Sequence, residues 1–262
     1  MLSIDEILPL ASRGVISLTG GGGKTSLMFH LAQFLTASGK KVLSTTTTKI
    51  FIPAASQSET LLVAADPQAI IAQAVSCLET TGHITAAAVR MDDVGKLKGF
   101  APEAIRHFEE SKLFDWIIVE ADGSARRPLK APAEHEPVIP SNTSILVAVA
   151  SLEVLGCPLT EELVFRSELA GERMGLAERE LITESALARL FAHSLGGFKG
   201  APSLAARFVF LNKADTSERR EAGGRIAALL RQTPRSVADA LIVGQALESI
   251  RVHACYPLRD EL

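Results

Sequence analysis

A run of four glycines followed by lysine and threonine, Thr19-Gly20-Gly21-Gly22-Gly23-Lys24-Thr25-Ser26, constrains this chain more than any other feature. It follows an apolar run, Gly14-Val15-Ile16-Ser17-Leu18, and precedes a helical pattern. Strand, glycine loop and helix in that order is the layout of a phosphate-binding loop. Glycines let successive backbone N–H groups curl around phosphate oxygens with no Cβ in the way. A helix starting near Lys24 points its free N–H groups and positive dipole end at the same anion. Lys24 adds a mobile charge, and the Thr25 hydroxyl offers Mg²⁺ a hard oxygen. Gly20, Gly21, Gly22, Gly23, Lys24, Thr25 and Ser26 are the expected nucleotide contacts.

The spacing is not that of the longer G-x-x-x-x-G-K-[ST] loop, because Leu18 stands where the first glycine belongs. The stretch reads as the shorter T-G-x-x-G-K-T form, which resembles the phosphate loop of the Mur ligases. An incidental glycine-rich turn is disfavoured, since each glycine loses extra backbone entropy on folding.

The 262 residues are 47% hydrophobic and 22% charged, enough to bury a large core without disulfide staples. The net charge of -3 carries no nucleic-acid footprint. Cys77, Cys157 and Cys255 are too far apart for a disulfide framework or a CxxC metal site, which suits a reducing compartment. The acidic N-terminus and the lack of a long apolar run point to a cytoplasmic chain without a membrane partner.

Periodicity places a short helix over 4–11, strands over 15–19 and 42–45, and a helix over 25–38 between them. Further strands are expected over 61–64, 84–89, 114–120, 145–150, 207–211, 240–243 and 250–256. Helices are expected over 67–78, 102–112, 161–172, 184–193 and 218–232, and 96–100 reads as a loop. The fold class is α/β, a three-layer P-loop NTPase-like arrangement with a mostly parallel sheet and helices on both faces. One domain over 1–262 is expected, with a helical insertion at about 151–200.

The chemistry beyond the loop clusters at strand ends. The unbroken apolar run Trp116-Ile117-Ile118-Val119 ends in Glu120, with Asp122 two residues on, like a Walker B element that holds Mg²⁺ or orients an attacking group. Four threonines from Thr45 to Thr48 end the second strand at the crevice side of a parallel sheet, which makes Thr47 a further candidate metal ligand beside Thr25, Glu120 and Asp122. Arg126, Arg127 and Lys130 follow the acids, and Arg127 is the expected cation for a transferring phosphoryl group. His135 and Cys157 suit a solvated side chain and an inert thiol better than chemistry. Asn212-Lys213-Ala214-Asp215 matches the N-K-x-D pattern of GTPases, where the aspartate accepts from guanine and the lysine stem covers the base. Asn212, Lys213 and Asp215 are the expected base contacts, with GTP or ATP as ligand. The catalytic set is Lys24, Glu120, Asp122 and Arg127.

These blocks, together with Lys96 to Gly99, the Arg127-Pro128-Leu129-Lys130-Ala131-Pro132 run and Pro158-Leu159-Thr160-Glu161-Glu162, resemble the YqeC family over nearly the whole chain. The resemblance implies an accessory role in selenium cofactor biosynthesis, in the maturation of selenium-dependent molybdenum hydroxylases, with such a hydroxylase or its cofactor as partner. A small-molecule kinase or Mur-like ligase, and a nucleotide-gated binding protein with negligible turnover, are the competing expectations.

Overall fold

The computed structural model describes residues 2–233 and 238–259. In chain order its strands are β1 (Gly14–Gly20), β2 (Val42–Thr46), β3 (Lys49–Phe51), β4 (Leu61–Val63), β5 (His83–Ala87), β6 (Val89–Met91), β7 (Lys96–Lys98) and β8 (Trp116–Glu120). They continue with β9 (Leu129–Lys130), β10 (Ile145–Ser151), β11 (Val164–Phe165), β12 (Ala206–Asn212), β13 (Ala240–Ala246) and β14 (Ile250–Pro257). The helices are α1 (Lys24–Ala37), α2 (Pro67–Cys77), α3 (Ile105–Glu110), α4 (Ser167–Met174), α5 (Glu184–Ala192) and α6 (Ser217–Arg231).

The main sheet has 9 strands in the order β14-β13-β12-β10-β1-β8-β2-β5-β4. Its pairings are parallel except for the antiparallel edge pair β13–β14. On one face Ile16, Leu18, Trp116, Ile118, Val147 and Phe208 pack under Leu27, Met28 and Leu31 of α1. The opposite face is split. Leu146, Val209 and Leu211 meet α5 and α6 through Leu187, Phe191 and Ile226. Leu43, Ile117 and Val119 meet α2 and α3 through Ile70, Ile105 and Phe108. Burial on both faces is why these strands read as continuous apolar runs rather than alternating ones. The three-layer α/β architecture is as expected. It sets β1, with its glycine loop, between β8 and β10 at the centre of the sheet.

Several local expectations need correction. The N-terminal helix is a single 3₁₀ turn, Ile4–Glu6, closed by a Ser3–Glu6 capping box, and does not extend to residue 11. The strand expected over 84–89 is divided: β5 stays in the main sheet, and β6 joins a small antiparallel sheet, β3-β7-β6. Residues 96–98, expected as loop, form the middle strand of that sheet. The helix expected over 102–112 is a 3₁₀ turn, Pro102–Ala104, running into the short α3. The helix expected over 161–172 starts six residues late, because Val164 and Phe165 pair with Leu129 and Lys130 as β11–β9 instead. The Glu161 carboxylate then accepts from Ser167 N at 2.9 Å and starts α4. Between β10 and β12 the chain carries β11, α4 and α5, which pack into the same cluster as β10 and β12.

Candidate functional site

The glycine run is required by what surrounds it. Gly20 has φ +92°, and a Cβ there would fall 2.2 Å from Val149 O. Gly23 has φ +127°, and a Cβ there would fall 2.1 Å from Asn212 Nδ2. Both the left-handed backbone and the close approach exclude other residues. Asn212 is buried and donates to Gly22 O at 2.8 Å while accepting from Ala246 N at 3.0 Å. It ties the loop to the end of β13.

The loop's amides divide into two groups. Gly20 N donates to Asp122 Oδ2 at 3.1 Å, Gly21 N to Val149 O at 2.9 Å, and Gly22 N to Arg127 O at 3.0 Å. The amides of Lys24, Thr25 and Ser26, in the first turn of α1, donate to no acceptor among the described residues. Those three N–H groups lie at the positive end of a 14-residue helix, where an anion is favoured.

Register sets the acids beside it. Glu120 pairs with Leu18 of β1 on one side and Thr46 of β2 on the other. Lys24 is buried, with Nζ 3.2 Å from Asp122 Oδ1, 3.8 Å from Glu120 Oε1 and 2.5 Å from Gly20 O. Burial opposes the Lys24 charge, but Asp122 and Glu120 outweigh it and raise its pKa above the ordinary lysine value. Burial also raises the Glu120 pKa above the usual carboxylate value, against the pull of Lys24 and a 2.7 Å hydrogen bond from Thr25 Oγ1. A carboxyl raised in this way holds a proton more readily than an exposed glutamate does.

A divalent cation fits this donor set. Thr25, Glu120 and Asp122 supply only hard oxygens, and the buried Asp122 Oδ1 has the ion pair with Lys24 as its one close polar contact among the described residues. Among the described residues no group of three or more His, Cys, Asp or Glu is placed to hold a metal ion. Mg²⁺ bound here would share its shell with phosphate oxygens and water, as that ion usually does. Thr47 is nearby through its backbone, with N 3.2 Å from Glu120 O, but its hydroxyl donates to Val138 O at 2.6 Å.

The cations separate. Arg127 does not face Lys24; its guanidinium pairs with Glu161 and lies over the Phe165 ring at 5.3 Å. Its contribution to the loop is its carbonyl. The cation brought to Asp122 is Lys130, fully buried at its side chain, 3.2 Å from Asp122 Oδ2 and 2.7 Å from Glu136 Oε2. Glu136 in turn pairs with Arg166. Sequence reasoning named Lys130 only in passing and missed Glu136 and Arg166. Arg126 stacks 4.0 Å over Phe51. His135 is exposed, and Cys157 is half-buried with its Sγ 3.4 Å from Glu153 O. In the N-K-x-D stretch, Lys213 pairs with Glu153, and the half-exposed Asp215 lies 3.5 Å from Arg219. No helix among the described residues is long and apolar enough to cross a membrane.

Comparison with known proteins follows the same lines. Among solved structures, chloroplast FtsY from Physcomitrella patens superposes with a TM-score of 0.44 at 14% identity, covering 93% of this chain and 63% of that one. FtsY from Mycoplasma mycoides gives 0.41 at 13% identity, covering 92% and 63%. The chain spans less than two thirds of either. A curated relative is far nearer: YqeC of Escherichia coli (strain K12) is 37% identical over 219 residues, 83% of each chain. The profile of the YqeC protein family matches residues 16–168, from β1 through the start of α4. The chain belongs to the YqeC family.

Proposed function

We propose that the protein is a Mg²⁺-dependent nucleotide-binding factor, for GTP or ATP, that serves the maturation of selenium-dependent molybdenum hydroxylases. The observation that carries the nucleotide part is the loop itself. Three acceptor-free amides at the start of α1 lie beside Lys24, which sits between Glu120 and Asp122. The partner part rests on family resemblance.

The amides of Lys24, Thr25 and Ser26 and the Lys24 ammonium hold the phosphates, and Gly20 to Gly23 let them approach. Thr25, Glu120 and Asp122 hold the metal, which neutralises phosphate charge when bound, and Thr47 adds an oxygen at the same rim. Glu120 accepts the proton of the attacking water or hydroxyl, and Asp122 fixes Lys24. Arg127 supplies a further cation when it leaves Glu161. Asn212 couples the base region to Gly22, and Lys213 and Asp215 read the base.

A second reading, a nucleotide-gated binding protein with negligible turnover, is favoured by the placement of Arg127 on Glu161 rather than at the loop. Phosphate release separates the two. On the first reading, wild type releases phosphate from Mg·GTP or Mg·ATP, and Glu120→Gln lowers that rate about 100-fold or more while nucleotide affinity is kept. Equal rates in wild type and Glu120→Gln would remove Glu120 from the chemistry, and nucleotide binding without release would establish the gated reading.

A further inference from the structure

Near the far end of α4 lies a buried charge that has no ion-pair partner among the described residues. Arg173 is 7% exposed, on the buried side of α4 with Ala170, Gly171 and Met174. Its Nη1 has no hydrogen-bond partner, and among the described residues Arg173 forms no ion pair. Burial lowers its pKa, with the charge of the neighbouring Glu172 opposing. An arginine in this position is expensive, because a desolvated guanidinium needs a compensating anion. A leucine would continue the apolar stripe of α4 at no such cost.

The guanidinium lines a cavity of about 440 Å³ between α4, α5 and α6. Ala188, Ala192 and Leu229 form apolar walls, Ser185 and Thr233 add hydroxyls, and Arg189 and His193 join Arg173; among the described residues the lining contains no carboxylate. His193 Nδ1 accepts from Leu195 N at 3.1 Å, which leaves Nε2 as the protonated, donating nitrogen. Arg189 spends Nε on Met174 O and Nη1 on Ser185 Oγ, which leaves Nη2 as a donor. Donors of one sign around an apolar chamber of this size describe a ligand site.

We propose that this cavity binds a small organic carboxylate, its charged head on Arg173 and its apolar body against Ala188, Ala192 and Leu229. Carboxylate is the head group assigned because the guanidinium fork matches it bidentately. The site is separate from the phosphate loop and needs no nucleotide.

Octanoate tests it, with octanamide as the uncharged control. Calorimetry should show octanoate binding wild type at one site and octanamide failing to bind. Arg173→Met should weaken octanoate about tenfold or more. The same variant should raise the melting temperature of the ligand-free protein, since it removes an unpaired buried charge. If Arg173→Met does not fold, Ala192→Phe serves: it fills the chamber from its half-buried wall, keeps Arg173, and should abolish octanoate binding. No octanoate binding to wild type, equal binding of octanamide, or unchanged affinity in Arg173→Met or Ala192→Phe would overturn the proposal.

Discussion

The two ends of α4 treat buried charge in opposite ways. At its N-terminal end, Arg166 begins a chain through Glu136, Lys130 and Asp122 to Lys24 and Glu120, in which every buried cation faces a carboxylate. Near its C-terminal end, Arg173 forms no ion pair with a carboxylate among the described residues. In the first cluster the charges pair with one another, so an anionic ligand there would compete with internal partners: a phosphate would have to share Lys24 with Asp122. The second is incomplete as the chain stands. A ligand at the first site therefore exchanges one set of ionic contacts for another, whereas a ligand at the second supplies the contact that is lacking.

The largest effect expected from breaking this contrast is at Lys130. Lys130→Met leaves Asp122 and Glu136 buried without their shared cation and should destabilise the fold by about 3–5 kcal/mol, read by urea denaturation. Arg173→Met should move stability the other way. Loss of stability in both variants would erase the distinction between the two ends.

A smaller effect sharpens the comparison through pH. Burial opposes ionisation of Glu136, but hydrogen bonds from Arg166 and Lys130 prevail and hold its pKa at about 2, against 4.5 for an ordinary glutamate. A carboxyl depressed in the folded state contributes stability that is full above its unfolded pKa and fades as pH falls towards its folded one. The stability difference between wild type and Glu136→Gln should be constant above about pH 4.5 and shrink between 4.5 and about 2. A difference independent of pH across that window would mean that Glu136 does not ionise as its contacts require.

How much of this was legible in the sequence depended on the range of the interactions. The strand–loop–helix of residues 14–37 was legible because glycine chemistry, apolar period and Lys-Thr are all local. Glu120 and Asp122 were legible because an apolar run ends on them. Asn212 was singled out for base contact, but its grip on Gly22 spans 190 residues and leaves no local mark. The same holds for Arg166, which reaches Glu136 and Lys130 where β11 pairs with β9. That ladder is two residues long, too short for any periodicity to show, and it displaced the start of α4. The small sheet β3-β7-β6 was missed for a like reason: each strand has three residues, and Lys96-Leu97-Lys98 reads as a basic turn until Leu97 is seen buried. Arg173 shows only as a cation on an apolar helical stripe, a signal that needs the neighbouring helices before it means a cavity.

The central claim is that Lys24 and the first turn of α1 hold nucleotide phosphates, and calorimetric titration of Mg·GTP and Mg·ATP into wild type and Lys24→Ala tests it most directly. The account predicts saturable, Mg²⁺-dependent binding to wild type and about ten- to hundredfold weaker binding to Lys24→Ala, the loss of one charge-assisted contact. Equal affinity in the two proteins, or no binding of either nucleotide to wild type, would contradict it.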